Sequence, residues 1–551
     1  MNVLLWLLLA LPLVGAGVVA GAPRLVAEPV VARVGAVVGA ATLLVAVVVA
    51  VRFDYAAAER VQFETDASWI PAIDVRWHLG IDGISLAMVL LTALLAFCCL
   101  LYTTRIPPST AASVTSAASV TSAASVTSAA SAGSDAAAAS AGGGATSAGQ
   151  GQRPPTRAFV ALVLLLEVGM LGTFVAFDLI LFFLFFEVVL IPMWFVIAVW
   201  GDPHDGAGRR RAATTFILYT LLGSALMLLG FLLVYAQAGT FDLTALAAGA
   251  GREITAGAQL LAAIAIGLGL AVKSPMWPLH TWLPDAHAKA PTVGSVLLAG
   301  VLLKMGTYGF VRVWLPVVPD GARAVAPYLA GLATVGIIYG ALACLAQREL
   351  KRLIAYSSVG HMGFVLLGIA TLTPVGVNGA IFAGVAHGLI TGLLFFLAGA
   401  IKDRHGTGVL ADLGGGLYAR MPRLGGLFVF GAVASLGLPG LAGFWGEMLA
   451  LFGAYEPHAA LARTTYIVLM VLAGLGAVLT AAYFLVLVRR ICQGNDTIGP
   501  SLVQNGAALR DVTAIEVWSW APLVALTLVL GLYPGAVLAV TEPAVTLLVG
   551  R

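Results

Sequence analysis

Apolar runs of about 20 residues, separated by charged or Pro/Gly-rich breaks, recur along the whole chain. A bilayer core ~30 Å thick requires about 20 mostly apolar residues in each helix that crosses it. Lipid offers no partner to backbone polar groups, which makes helices the default. The pattern therefore predicts fourteen transmembrane helices. They are expected near 1–20, 34–51, 82–102, 158–176, 179–200, 213–237, 257–276, 291–315, 325–346, 353–371, 376–401, 421–453, 464–488 and 517–548.

Two stretches of the predicted spans share one layout. Segments 158–315 and 325–488 hold five spans each, and in both the fourth span contains a proline break, first at 273–278 and then at 437–443. Proline removes an amide donor and clashes with the preceding turn, so each break frees backbone polar groups. A packing kink is the alternative explanation. Because five is odd, the two units must lie in opposite orientations, which predicts two inverted five-helix repeats, each with a discontinuous helix.

The rest of the chain flanks these repeats. Residues 1–106 are expected to form three N-terminal transmembrane helices, and residues 489–551 an inner loop with the last helix. Segment 107–157 is rich in Ser, Ala, Thr and Gly, with a six-residue repeat that begins at Ala111. Such a composition cannot bury a core, which predicts a disordered inner-side loop. The fold class expected is an all-α integral membrane protein.

Composition agrees with this picture, and charge gives it an orientation. The chain is 60% hydrophobic and 10% charged, which fits a protein surrounded by lipid. If the N-terminus faces outward, nineteen of the 29 basic residues fall in inner loops, eight in outer loops including Arg312, and two inside spans. The positive-inside rule then predicts a multi-pass protein of the plasma membrane with both termini on the outer side.

Several kinds of chemistry are not expected on this chain. The cysteines Cys98, Cys99, Cys344 and Cys492 are adjacent or far apart and form no metal-binding or iron–sulfur motif. No Walker or dinucleotide-binding motif is present. The basic run 209–211 is more simply an inner-face anchor than a nucleic-acid patch. We therefore expect no metal, no cofactor and no nucleic-acid partner.

Ionisable residues inside the predicted spans are the most informative feature of the sequence. Each costs ~2.5–3.5 kcal/mol to insert at mid-bilayer, so several together call for a role. Burial disfavours the charged form of a lysine and a nearby carboxylate favours it, so a moving carboxylate switches the lysine between accepting and donating a proton. Histidine titrates near neutral pH and relays protons. The residues are Glu167, Glu187, Lys273, Lys304, His361, His387 and Glu447.

Buried ion pairs that only hold helices together are the alternative explanation for these charges. A single Glu/Lys pair fits that explanation as well as it fits transport. The series is spread over both predicted repeats, however, and it accompanies both helix breaks. This distribution favours proton translocation.

Four motifs then identify a family resemblance. They are the run from Lys273 through His287 and on to Lys304, the run 348–358, the triplet 361–363, and the run from Leu438 through Glu447. In these motifs the chain strongly resembles the antiporter-like membrane subunits of respiratory complex I, the proton-pumping NADH–quinone oxidoreductase, and its length and C-terminal end are most similar to the M-type subunits. The resemblance covers nearly all of the chain except the insertion.

The resemblance implies a role for each charged position of the two repeats. Glu187 and Lys273 would form the pair that modulates proton affinity. Lys304 would be the central relay, and Glu447 would be the terminal group of the exit half-channel. These roles make each repeat a proton half-channel.

The histidines and one further acid complete the implied path. His361 and His387 would carry protons along the axis at the membrane midplane. Glu167 would be a second acidic position, on the fourth span. The protons would move through hydrated half-channels in which water takes part in the relay.

The resemblance also implies partners. The chain would assemble in lipid with other membrane and peripheral subunits of complex I, and flavin and iron–sulfur clusters would belong to those partner subunits. Two alternatives remain open. The first is a subunit of a multi-component sodium/proton antiporter, which shares the same core. The second is a membrane scaffold that has lost transport.

Overall fold

The computed structural model describes residues 3–23, 25–105, 156–249, 251, 253–494 and 511–550. Within this part of the chain the regular structure is helical apart from one β-hairpin and isolated bridges. The insertion predicted over 107–157 lies outside the described residues, except that Thr156 and Arg157 begin a helix.

The helices are numbered here in chain order. The first eleven are α1 (Val3–Gly21), α2 (Glu28–Arg52), α3 (Gly83–Thr103), α4 (Thr156–Val175), α5 (Leu179–Val188), α6 (Leu190–Trp200), α7 (Gly206–Ala238), α8 (Leu243–Ala248), α9 (Ala256–Lys273), α10 (Trp282–Lys289) and α11 (Thr292–Val317). The others are α12 (Pro319–Leu345), α13 (Leu350–Ala370), α14 (Pro374–His405), α15 (Leu410–Leu413), α16 (Leu417–Arg420), α17 (Pro422–Ser435), α18 (Ala442–Tyr455), α19 (Arg463–Cys492), α20 (Ala514–Leu532) and α21 (Gly535–Val549).

The prediction of a helical, multi-pass membrane protein is confirmed. Among the described residues, thirteen helical segments are long and apolar enough to cross a membrane, with α5 and α6 counted as one. The twelfth predicted span, 421–453, consists of the shorter helices α17 and α18. The prediction of one continuous helix over 517–548 is wrong, because α20 and α21 are separated at Tyr533 and Pro534. A proline cannot continue the hydrogen-bonded ladder of the helix before it.

A β-hairpin forms in a segment that the all-α prediction treated as a loop. Strands β1 (Gln62–Ile70) and β2 (Val75–Ile81) pair in antiparallel fashion. The segment 75–81 alternates around valine, tryptophan, leucine and isoleucine, a strand pattern that the helical interpretation overlooked. We call the end of the molecule that carries this hairpin the hairpin side.

Both predicted proline breaks interrupt helices in the structure. Lys273 is the last residue of α9, and α10 begins only at Trp282. In the second break, α17 ends at Ser435 and α18 begins at Ala442, with Gly437 and Gly440 at positive φ between them. Glycine adopts this left-handed backbone without the steric penalty of a Cβ atom. The inverted relation of the two repeats stays a prediction.

Two further irregularities lie beside predicted site residues. The span 179–200 is interrupted at Val189, because Pro192 offers no amide hydrogen to the carbonyl of Val188 four residues earlier. Helix α11 contains two π-helical segments, Leu298–Leu302 and Phe310–Trp314. Such wide turns are rare and are frequently found at functional sites.

Three helices form the centre of the described structure. The most apolar windows of α11, α13 and α14 are 100%, 89% and 94% buried, whereas those of α1, α2 and α19 are less than half buried. The central helices are shielded from lipid by their neighbours. They therefore provide an interior in which polar side chains are surrounded by protein.

Candidate functional site

Lys304 contacts a histidine of another central helix. It lies near the midpoint of α11 and is fully buried. Its ammonium nitrogen Nζ donates to the carbonyl oxygen of Ala299, in the first π segment, at 2.5 Å. The same nitrogen lies 2.7 Å from Nδ1 of His387 in α14. In the tautomer whose Nδ1 carries no hydrogen, His387 accepts a hydrogen bond from an ammonium group at this distance.

The series continues from His387 to a carboxylate. The rings of His387 and His361 meet edge to face with centroids 5.6 Å apart. On the far side, Nδ1 of His361 lies 2.9 Å from Oε1 of Glu447 in α18. The spatial order is therefore Lys304, His387, His361, Glu447, and it differs from the order of the two histidines in the sequence.

A small cavity separates the two histidines from direct hydrogen bonding. It has a volume of about 20 Å³, and Thr391 and Ser435 are among the residues that line it together with both rings and Glu447. This is room for about one water molecule. Among the described residues, Nε2 of His361 and Nε2 of His387 have no hydrogen-bond partner. The cavity thus offers space for a water beside the two histidine side chains.

Glu187 and Lys273 lie near each other without direct contact. The two side chains interact electrostatically. Within the described structure, Lys273 Nζ and Glu187 Oε1 have no hydrogen-bond partner. The ammonium group of Lys273 instead lies 4.6 Å from the ring centroid of Phe186. A cation held over an aromatic ring is stabilised without being neutralised.

The first helix break packs directly against the helix of Lys304. A Cβ atom added to Gly306 would lie 2.4 Å from Oγ of Ser274 and 2.9 Å from its backbone nitrogen. Only a glycine permits this approach. Lys273 and Lys304 are thereby held in adjacent parts of one interface between α9 and α11.

Glu167 is not joined to the series. It is fully buried in α4, and both carboxylate oxygens lack a hydrogen-bond partner among the described residues. The other six predicted positions fall into the group of Glu187 and Lys273 and the group that begins at Lys304.

A buried ion pair on α11 was missed. Arg312, which the charge count assigned to an outer loop, lies in the second π segment and is 5% exposed. Its Nη2 donates to both carboxylate oxygens of Asp82 at 2.5 and 2.6 Å. The charge count was wrong because Arg312, three residues before the end of the predicted span 291–315, was counted with the loop that follows the span. Its spacing of eight residues from Lys304 was the available sequence clue.

Three more buried titratable residues lie between the first break and the side opposite the hairpin. His280 and His287 are buried, and their ring nitrogens lack partners in the described part of the chain. The ring of His287 stacks on Phe395 at 4.4 Å. Lys351, counted with an inner loop, is 5% exposed and donates to the carbonyl oxygen of Ala290 at 3.1 Å. Both histidines lie in the motif after Lys273, which was the clue to them.

A charged cluster anchors the hairpin. His78 of β2 lies between Asp242, with Nδ1 to Oδ2 at 2.6 Å, and Glu64, with Nε2 to Oε1 at 2.8 Å. Burial disfavours the charged imidazole, but the two carboxylates outweigh burial and raise the pKa of His78 above 6.5. Burial alone would raise the pKa of Asp242, but hydrogen bonds from His78, Thr244 and the amide of Ala245 lower it to about 2.

The cysteines and the other metal-binding side chains form no cluster in the described residues. The four cysteines are free and buried. No three histidine, cysteine, aspartate or glutamate side chains of the described chain are grouped as metal ligands.

Comparison with protein families gives one match and several similar proteins. The model of the transmembrane family "NADH:quinone oxidoreductase/Mrp antiporter" matches residues 176–480. Among curated relatives, NADH-quinone oxidoreductase subunit M of Rhodobacter capsulatus is 39% identical over 518 residues, which cover 92% of this chain and 88% of the relative.

Chains of several solved membrane complexes have the same fold. A chain of respiratory complex I from Thermus thermophilus with bound NADH aligns with a TM-score of 0.76 and 28% identity, over 99% of both chains. A chain of the Mrp complex from Dietzia sp. DQ12-45-1b aligns with a TM-score of 0.78 over 100% of this chain and 98% of that one. At 21% identity, the second likeness is one of fold alone.

Proposed function

This chain belongs to the NADH:quinone oxidoreductase/Mrp antiporter transmembrane family, and we infer that it is a proton-translocating membrane subunit of an NADH–quinone oxidoreductase. The observation that carries this function is the 2.7 Å contact between Lys304 and His387. It connects a buried lysine to a series of titratable side chains that ends at Glu447. The relative named subunit M, which aligns with 92% of the chain, supports the same conclusion.

The geometry supports a stepwise relay. His387 takes a proton from Lys304 at Nδ1 and releases one from Nε2, because an imidazole can accept at one ring nitrogen while it donates from the other. A water in the cavity passes the proton to Nε2 of His361. His361 then releases a proton from Nδ1 to Glu447, 2.9 Å away. Each group accepts on one side and donates on the other.

Glu187 and Lys273 set the proton affinity at the start of the series. When the carboxylate approaches, the ammonium form of Lys273 is favoured, and when it withdraws, the proton is released. The packing of Ser274 on Gly306 places this pair beside the helix that carries Lys304. Glu167 is a further acidic position, on α4, that can hold a proton.

The energy comes from partner subunits. NADH oxidation and quinone reduction take place on flavin and iron–sulfur clusters held by other subunits of the complex, and this chain carries no redox centre. The chain lies in the plasma membrane with both termini on the outer side. The excess of basic residues in the loops on the opposite side supports this orientation.

The function is tested in proteoliposomes that contain the whole complex. Lys304→Ala and Lys273→Ala are expected to abolish proton transport through this subunit and so lower the number of protons moved per electron. The matched control is Lys289→Ala, which removes a partly exposed lysine paired with Asp205 at 2.8 Å. An unchanged proton-to-electron ratio in both Lys304→Ala and Lys273→Ala would rule out the mechanism.

A subunit of a sodium/proton antiporter is the second candidate, favoured by the fold shared with the Mrp complex. Vesicles distinguish the two. A proton flux that is driven by a sodium gradient and needs no NADH would support the antiporter. Co-purification with flavin and iron–sulfur subunits would support the oxidoreductase.

A further inference from the structure

Helix α11 carries a line of polar residues from the relay toward the hairpin side. Lys304, Tyr308 and Arg312 follow one another at intervals of four residues. This spacing places side chains near one another on a helix. Arg312 reaches Asp82, which directly follows the hairpin and caps α3. A proton on Lys304 therefore has a second direction in which to leave, along its own helix.

Hydrogen bonds join the polar groups along this line to one another and to the backbone. The hydroxyl of Tyr308 donates to the carbonyl oxygen of Phe174 at 2.9 Å and accepts from Nε of Arg312 at 3.1 Å. Arg312 donates to both oxygens of Asp82, and Oδ1 of Asp82 also accepts from the amides of Ile84 and Ser85. The groups are thus held in one orientation.

The same segment is enclosed by packing. The guanidinium carbon of Arg312 lies 4.9 Å from the ring centroid of Phe177. A Cβ atom on Gly83, next to Asp82, would lie 2.0 Å from the carbonyl oxygen of Val540, so α21 packs directly on the start of α3. Arg312 and Asp82 are almost completely buried. Little space remains for a chain of waters around the ion pair.

A proton wire requires groups that both accept and release a proton. A guanidinium group does not release its proton in proteins, whereas a lysine ammonium does. The hydroxyl of Tyr308 donates to the carbonyl oxygen of Phe174, and Arg312 bridges Tyr308 to Asp82. Beyond Asp82, His78 with Glu64 and Asp242 forms a titratable cluster at the hairpin side. The locked segment therefore separates the relay from that cluster.

We propose that the Arg312–Asp82 ion pair is a proton barrier, which stops a proton on Lys304 from leaving along α11 to the hairpin side and so directs it to His387. The proposal rests on the proton-translocating function inferred above. In this role Arg312 is a positioning residue, because it acts on the route and takes no part in the transfer itself.

Arg312→Lys is the sharpest test, because it keeps the positive charge beside Asp82 but introduces a group that can release a proton. In proteoliposomes with the whole complex, an imposed pH gradient is expected to decay several-fold faster than in wild type. The proton-to-electron ratio should fall while NADH oxidation continues. Arg323→Lys is the control, since Arg323 pairs with Asp320 at 2.9 Å but both are exposed. If the pH gradient decays in Arg312→Lys as slowly as in wild type, the proposal is overturned.

Two further variants make the result specific. In the double variant Lys304→Ala/Arg312→Lys the leak is expected to disappear, because the path begins at Lys304. A leak that persists there reflects damaged packing and overturns the proposal. An unchanged proton-to-electron ratio in Lys304→Ala, together with the same result in Lys273→Ala, would instead refute the proposed function. If Arg312→Lys does not assemble, Arg312→His, which also introduces a group that can accept and release a proton, is expected to leak, and a pH gradient that decays as slowly as in wild type with this variant also overturns the barrier.

Discussion

Nζ of Lys304 lies 2.7 Å from Nδ1 of His387, although 83 residues separate the two in the sequence. The contact joins α11 to α14, two helices at the buried centre of the described structure. It turns a set of isolated intramembrane charges into a series that continues to Glu447. Variants that change one side chain or one close contact of this series test it most directly.

Replacing His387 should interrupt the relay and preserve the fold. His387→Phe keeps a planar ring in the same space but removes both nitrogens, so proton transfer from Lys304 should slow by about 10²-fold or more. We expect a lower proton-to-electron ratio in the reconstituted complex with NADH oxidation retained. His405→Phe is the control on the same helix, because His405 is buried and hydrogen-bonds only to Ile401 of its own turn at 3.0 Å. Equal pumping in the two variants would contradict the relay.

A methyl group at Gly446 should disturb the end of the relay. Its Cβ atom would lie 2.5 to 2.7 Å from Cβ, Cα and the backbone nitrogen of Ala383, so α18 must move away from α14. Overpacking of this kind costs about 1–3 kcal/mol. The shift moves the neighbouring Glu447 relative to His361, and Gly446→Ala should lower both thermal stability and proton pumping. Gly474→Ala is the control, since nothing lies within 4 Å of its added methyl group.

The His78–Asp242 contact should make the stability of the hairpin side depend on pH. Because the pKa of His78 is raised above 6.5, its contribution is complete below pH 6.5 and is lost as pH rises through the raised value. Because the pKa of Asp242 is lowered from 3.8 to about 2, its contribution is present above pH 3.8 and is lost as pH falls toward 2. Both contributions are present in mildly acidic solution.

Asp242→Asn should therefore destabilise the complex most at mildly acidic pH, by about 1–3 kcal/mol for a buried hydrogen bond to a charged group. The difference from wild type should shrink in alkaline solution, where His78 is neutral. Thermal unfolding of the purified complex at both pH values measures this effect. Asp320→Asn is the control, because its partner Arg323, at 2.9 Å, stays charged throughout. A pH-independent loss in Asp242→Asn would show that charge on His78 is not involved.

Some site residues were visible in the sequence because lipid makes them conspicuous. Glu187 stands in an unbroken apolar run, and Lys273 and Glu447 stand beside prolines and glycines that interrupt a helix. Charge inside a span is expensive, so each position could be selected from its immediate neighbours. The two helix breaks were also predictable from neighbouring residues. A proline inside a helix removes a backbone hydrogen bond and kinks or breaks the helix.

Other features depended on partners far away in the sequence. Arg312 looked like a loop residue until Asp82, 230 positions away, was found against it. The hairpin was hidden because one short alternating segment is weak beside fourteen helical runs. The buried His280 and Lys351 are surrounded by ordinary helix-end residues, and only packing removes them from water.

By itself, the sequence determined that this protein spans a membrane, where most of its spans and both helix breaks lie, that charged residues such as Glu187 and Lys304 stand inside spans, and to which family the chain belongs. These properties follow from local hydrophobicity, proline chemistry and motifs, all of which are written in consecutive residues. The tertiary structure alone decided that His387 precedes His361 in the series, that Glu167 stands apart, and that Arg312 meets Asp82. These are contacts between distant helices, and they depend on how the helices pack, which residue spacing does not specify.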